Sequence, residues 1–315
     1  MMNNSYSSSE PSIIFIKINF ILLGIMQLFN IILSSFVILL IVLHRSLRTI
    51  PNLLMSNSSF AIFCYSLTLI IQLVTELQQT EKSNQVACKL LAYFTNSSVN
   101  AICYSYLVTA ISQYFFNILY RRKYLHTFRV HYCMIFLSWT VTSCTPLILY
   151  FSGEYKWLFG IKTIHDRYLG SLQYLPETHM CSTATIFKWT SAIYLGIAYI
   201  IPYTGIIFIY VSIVRHTRRT NVTTIATTVL SGSSRRDFRV LKNIFVLISI
   251  LAIACLPNFI LIIWIVYSPN TIFIPLYLIP TVAVSLCTNI QMLIIFITNK
   301  SVRNVVYNYV QHVFN

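Results

Sequence analysis

Seven apolar stretches, each long enough to cross a bilayer as a helix, lie near residues 16–43, 51–75, 88–118, 132–152, 190–214, 243–267 and 272–298 of this chain. A hydrocarbon core about 30 Å thick takes roughly 20 apolar residues per helix. A helix satisfies its own backbone where no water is available, so it is the element these stretches must form. The pattern predicts an all-α membrane protein, a bundle of seven transmembrane helices. With 57% of residues hydrophobic and only 9% charged, a soluble domain would have no adequate polar surface. No small-residue cleavage site follows the first stretch, which is therefore read as a span and not as a signal peptide.

The basic residues give the bundle a direction. Of 22 Lys and Arg, 15 fall in alternate connections: Arg45 and Arg48; Arg121, Arg122, Lys123 and Arg129; Arg215, Arg218, Arg219, Arg235, Arg236, Arg239 and Lys242; Lys300 and Arg303. Cytoplasmic segments carry such an excess, so these connections are expected inside the cell. Six of the seven acids, Glu10, Glu76, Glu81, Glu154, Asp166 and Glu177, lie in or beside the other segments, leaving only Asp237 on the basic side. The expected arrangement is a multi-pass plasma-membrane protein with its N-terminus extracellular and its C-terminus cytoplasmic. The net charge of +15 then reflects topology and attraction to anionic inner-leaflet lipids, and no nucleic-acid role is expected.

The eight cysteines divide in the same way. Cys64, Cys103, Cys133, Cys144, Cys255 and Cys287 fall within spans and read as small buried hydrophobes. Cys88 opens the third span on the outer side, and Cys181 lies in the long outer segment between spans four and five. An oxidising compartment permits a bond between these two, and a Cys88–Cys181 disulfide is expected. Asn3 begins a glycosylation sequon on the expected outer side, whereas those at Asn57, Asn96, Asn221 and Asn299 fall in the membrane or inside. No Cys–His cluster has metal-ligand spacing. Nothing resembles a catalytic triad or a phosphate-cradling glycine loop, so neither an enzyme nor a cofactor is expected.

Several landmarks then recur in order. Leu47-Arg48-Thr49-Ile50-Pro51-Asn52-Leu53-Leu54 leads into span two; Cys88 is followed 25 residues later by Gln113, within Ser112-Gln113-Tyr114. Trp139 sits in span four, Pro202 with Tyr210 in span five, Pro257 in span six, and Asn299-Lys300-Ser301-Val302-Arg303 opens a short amphipathic tail. Over essentially its whole length the chain resembles the rhodopsin-like (class A) seven-transmembrane G-protein-coupled receptors. The resemblance implies a seven-helix bundle with an eighth, amphipathic helix along the inner leaflet. It also implies a receptor that turns binding of an extracellular ligand into activation of a heterotrimeric G protein by shifting a conformational equilibrium. The corresponding division is an extracellular tail over 1–15, a receptor domain over 16–298 and a cytoplasmic helix and C-terminus over 299–315.

The departures fall on the family's switch. Ser112-Gln113-Tyr114 stands where the family has Asp-Arg-Tyr, so a neutral amide replaces a permanently charged, five-donor guanidinium. Asp237 stands where many members hold an acid that latches to that arginine. Ile62 takes the place of the sodium-binding aspartate, and Cys255 that of the usual tryptophan before Pro257. Asn289-Ile290-Gln291-Met292-Leu293 is nearest to the Asn-Pro-x-x-Tyr motif, and span one offers Asn30 or Ser34 for the family's asparagine. Gln113, Tyr210, Asn289 and Gln291 are expected either to form a replacement polar network or to join neighbouring helices.

For the ligand, the resemblance implies a pocket in the outer halves of spans three, five, six and seven, taking in Thr95, Asn96, Val99, Asn100, Asn258 and Tyr277. The first four share a helical face. Thr95 stands where amine receptors carry an aspartate, and an uncharged hydroxyl cannot neutralise an ammonium; a peptide or a small chemosensory molecule remains. The segment 153–189 is expected to fold over the entrance as a lid. A ligand-binding protein of the same fold that does not couple is the alternative; a transporter or channel is disfavoured because its usual inverted repeats and midplane charges are not evident.

Overall fold

The computed structural model describes residues 10–77, 85–152, 172–175, 180–183, 193–224, 249–250, 253, 256–257, 260, 274–299, 302–307 and 311. The helices are α1 (Glu10–Leu43), α2 (Ile50–Leu77), α3 (Gln85–Asn117), α4 (Phe128–Ser152), α5 (Ile201–Thr224) and α6 (Ile274–Thr298), with 3-10 turns at Arg45–Leu47 and Lys123–His126. They coincide with the first five apolar stretches and the seventh. The sixth falls largely outside the described residues, where 249–250, 253, 256–257 and 260 are helical. The helices outrun the apolar stretches wherever polar residues continue the turn, as in α5, which runs past Arg215, Arg218 and Arg219 to Thr224.

The side chains are distributed inside out relative to a soluble bundle. Ile32, Phe136 and Phe208 are 69%, 72% and 73% exposed, while Gln27, Asn30, Ser34, Asn100, Ser112, His131, Ser285 and Gln291 are fully enclosed. Hydrocarbon receives apolar side chains without cost, but a polar one must turn inward and find a partner. Among the described residues, four helical segments are long and apolar enough to cross a membrane: Lys17–Leu43, Ile50–Glu76, Ile193–His216 and Ile279–Thr298. Helix α3 is less apolar because it is surrounded: it packs on α2, α4, α5 and a β-hairpin, and hides Ser97, Ser98, Asn100, Ser105 and Ser112.

That hairpin, β1 (Leu172–Leu175) with antiparallel β2 (Met180–Thr183), pairs Tyr174 with Cys181. It was not legible in the sequence, and it is the described part of the expected lid. Its strands lie against α3, and β2 also touches α2.

Helix α5 begins irregularly for a definable reason. Residues Gly196–Ile200 form a π turn in which the Ile201 amide donates to the Gly196 carbonyl. The next carbonyl, Ile197, would then take the amide of residue 202, but Pro202 has none. The Tyr104 hydroxyl of α3 donates to it instead, at 2.9 Å.

Helix ends at the basic side are closed by the residues that mark it. Arg48 donates to the Val42 carbonyl at 2.9 Å and Arg303 to that of Ile297 at 3.0 Å, each closing a helix C-terminus with a cation. Asn299 accepts the Val302 amide, capping the short helix over 302–307. Its amide reaches Asn52 Oδ1 at 2.8 Å, and Asn52 in turn donates to Leu47.

Candidate functional site

Helix α3 carries candidate residues at both of its ends. At the first end, Cys88 and Cys181 are disulfide-bonded, with Cα atoms 5.3 Å apart, which fixes β2 to the start of α3. Gln72 of α2 braces this junction, since one side-chain amide donates both to Thr95 Oγ1 (3.1 Å) and to the Cys181 carbonyl (3.2 Å). Thr95 passes its own hydrogen back to the Leu91 carbonyl. One turn further in, the Tyr194 hydroxyl lies 3.0 Å from Asn96 Oδ1 and 3.3 Å from Asn100 Oδ1. One hydroxyl hydrogen cannot fully serve both, and Asn100 Nδ2 is buried without a partner among the described residues. Turning the Asn100 amide over gives a consistent chain: Asn100 donates to Tyr194, which donates to Asn96. Val99 is half-buried on the same helix.

Four of the six expected ligand residues thus lie together on α3, beneath the hairpin. Asn258 and the side chain of Tyr277 lie outside the described residues, as does Asn3. The cluster is polar and uncharged: an amide at Gln72, hydroxyls at Thr95 and Tyr194, and amides at Asn96 and Asn100. Such a set suits hydrogen-bonding neutral groups and offers no counter-ion to a cation.

At the other end, Ser112 is enclosed and its Oγ lies 2.9 Å from His131 Nε2 of α4. His131 Nδ1 is 2.9 Å from the Thr127 carbonyl. A carbonyl can only accept, so Nδ1 carries the hydrogen, and in the neutral ring Nε2 accepts from Ser112. The first residue of the triplet therefore bonds to α4 and not to a neighbouring arginine. Gln113 and Tyr114 are half-buried, and the Gln113 carbonyl accepts from Asn117 Nδ2 at 2.8 Å. Asp237, which stands where many members of the family hold a latching acid, lies outside the described residues. Pro257 is described as half-buried and helical.

Of Gln113, Tyr210, Asn289 and Gln291, expected either to form a network or to join neighbouring helices, Asn289 joins two helices. Asn289 donates to the Met26 carbonyl of α1 and to Ser285, and the buried Tyr210 hydroxyl has no hydrogen-bond partner among the described residues. Asn289 is part of a polar seam between α1 and α6, in which Gln27 donates to Ser285 at 2.6 Å and Asn30 to Thr288 at 3.0 Å. Ser34, the other candidate in span one, donates to the Asn30 carbonyl within its own helix. Trp139 Nε1 reaches Asn57 Oδ1 at 2.9 Å, which uses the Asn57 side chain to join α4 to α2. The cysteines need one correction: Cys103 and Cys287 are buried, but Cys133 and Cys144 of α4 face outward. A thiol is apolar enough for that surface.

Sequence reasoning passed over Gln72, Tyr104, His131 and Tyr194. Gln72 and His131 carried a usable signal, as polar groups within or beside an apolar stretch. Tyr104 and Tyr194 carried none, being two of 21 tyrosines.

Apolar outward faces, an enclosed polar interior and a hairpin bonded to the central helix define a helical integral membrane bundle. Residues 34–291 match the family of the 7 transmembrane receptor (rhodopsin family), more than half of the chain, and the protein belongs to that family. No curated protein matches it.

Proposed function

We propose that this signalling receptor sits in the plasma membrane with its disulfide end outside, binds an extracellular ligand there, and activates a heterotrimeric G protein at its basic end. The ligand is a peptide or a small chemosensory molecule that presents hydrogen-bonding groups and needs no carboxylate counter-ion. Asn3 is glycosylated, and the basic end also rests on anionic inner-leaflet lipids.

The observation that carries this reading is the single helix α3. It runs unbroken for 33 residues, with the uncharged Thr95–Asn96–Asn100 cluster at one end and Ser112-Gln113-Tyr114 at the other. A shift that re-pairs Asn96 or Asn100 at the outer end is transmitted along a rigid element to the inner one. Binding energy that differs between two positions of α3 is what makes the ligand effective.

The test is agonist-independent G-protein dissociation in cells, at equal surface density, for the natural chain, Gln113→Arg and Asp237→Ala. A basal signal that either substitution changes is expected. Silence from every variant at good surface density would favour the non-coupling binder, a reading that the absence of charge at Ser112 and Gln113 also supports.

A further inference from the structure

The connection from α3 to α4, residues 118–127, carries Arg121, Arg122 and Lys123, followed by Arg129 at the start of α4. No acid occurs anywhere from residue 85 to residue 152, so neither helix offers these cations an ion pair. Mutual repulsion would spread such a segment. It is ordered nonetheless, and among the described residues no acid takes part in ordering it. Its backbone turns on Arg122 N–H to Leu119 O (2.9 Å) and Leu125 N–H to Arg122 O (3.0 Å), and the Thr127 hydroxyl closes on Tyr124 O at 2.9 Å.

Two side-chain contacts then fasten the connection to the bundle. The first is the relay from the Ser112 hydroxyl to His131 Nε2, and from Nδ1–H to the Thr127 carbonyl, which joins α3, α4 and the end of the connection in one closed ring. The second is Phe116, whose ring lies 4.7 Å from that of His126 and stacks at 25° and 6.0 Å on His131. The cations are held in turn. The Arg121 guanidinium lies over the Tyr120 ring at 5.8 Å, and Arg122 Nη1 is 3.4 Å from the Tyr124 hydroxyl. Both tyrosines are exposed. Tyrosine-supported guanidiniums at a surface lose less freedom when an anionic partner arrives, which is the advantage of preorganisation.

We propose that His131 is the positioning residue of this connection: it clamps residues 118–127 onto the end of α3 and so presents Arg121, Arg122 and Lys123 as a preformed cationic surface for the acidic face of the G protein. This use of the clamp rests on the receptor reading given above. The sequence places no acid or guanidinium at Ser112 or Gln113, and the relay supplies by hydrogen bonds the order that a charged pair would otherwise supply. The two enclosed groups, Ser112 and His131, are matched to each other. Removing either leaves the other buried without its partner.

The test uses the full chain in nanodiscs and in cells, with Ser112→Ala, Ser112→Thr, His131→Phe and the double variant Ser112→Ala/His131→Phe. Amide hydrogen exchange over 118–127 is expected to quicken about tenfold in the Ser112→Ala and His131→Phe variants, the scale of one lost hydrogen bond. The double variant is expected to be no faster than His131→Phe, because the relay is already broken. Ser112→Thr keeps the hydroxyl and should retain both native exchange and native coupling at equal surface density, whereas Ser112→Ala should change coupling. The proposal is overturned if exchange is unaltered, if the two single effects add, if threonine behaves like alanine, or if coupling is unchanged while exchange quickens. Quickened exchange with no coupling in any form, the natural chain included, upholds the clamp and refutes the receptor reading.

Discussion

The two ends of α3 are held by opposite means. At the hairpin end a covalent bond does most of the fastening, and one buried amide, Gln72, braces it against α2. At the basic end no bond is covalent and the described contacts that order it are neutral: a serine, a histidine and a stack of aromatic rings. A covalent anchor keeps its place when the helix moves, while a hydrogen-bonded one can be exchanged for another within a kcal/mol or so. The contrast teaches that the hairpin end is built for permanence and the basic end for rearrangement.

The comparison can be broken most directly at the disulfide. Cys181→Ser should cost about 2–4 kcal/mol by freeing a 93-residue loop, lowering the thermal midpoint of purified protein and its surface yield, with little change in amide exchange over 118–127. Equal loosening at both ends would show that the two are not separately held. A smaller loss is expected for Gln72→Leu, about 1–3 kcal/mol, because the Cys181 carbonyl and Thr95 lose their shared donor; a thermal melt in nanodiscs reads it. Tyr104→Phe should cost about 1–2 kcal/mol by leaving the Ile197 carbonyl without a donor beside Pro202. Exchange at the head of α5 should then quicken, and an unchanged rate would mean that the π turn satisfies itself. Least of all, Arg303→Ala should cost about 0.3–1 kcal/mol at the exposed end of α6, diminishing as salt rises; a loss insensitive to salt would point to packing instead.

The helices were legible because hydrocarbon leaves a chain few options: the apolar stretches mark α1 to α4 and α6 closely, while α5 is offset from its stretch by about ten residues at each end, and alternation of the basic residues told one end from the other. Cys88 and Cys181 were legible for a related reason, since only they lay off the spans on one side. The hairpin was not, because Leu172–Leu175 and Met180–Thr183 are short and lack a tight two-residue turn between them. Of the site, Thr95, Asn96, Val99 and Asn100 could be placed on one helical face from spacing alone. Their partners could not, because a sequence gives no distance between Tyr194 and Asn100, 94 residues apart. His131 illustrates the same limit. Its residue type carried a signal, a polar group beside an apolar stretch, but only the fold puts it against Ser112, which supplies no charge and donates a hydrogen bond.

Everything proposed for the two ends depends on which faces the outside. One epitope at the N-terminus and another within the basic segment 225–240, read by antibody on intact and then on permeabilised cells, measures this directly. The account predicts the first epitope exposed on intact cells and the second only after permeabilisation. The reverse pattern, or both epitopes on one side, would contradict it.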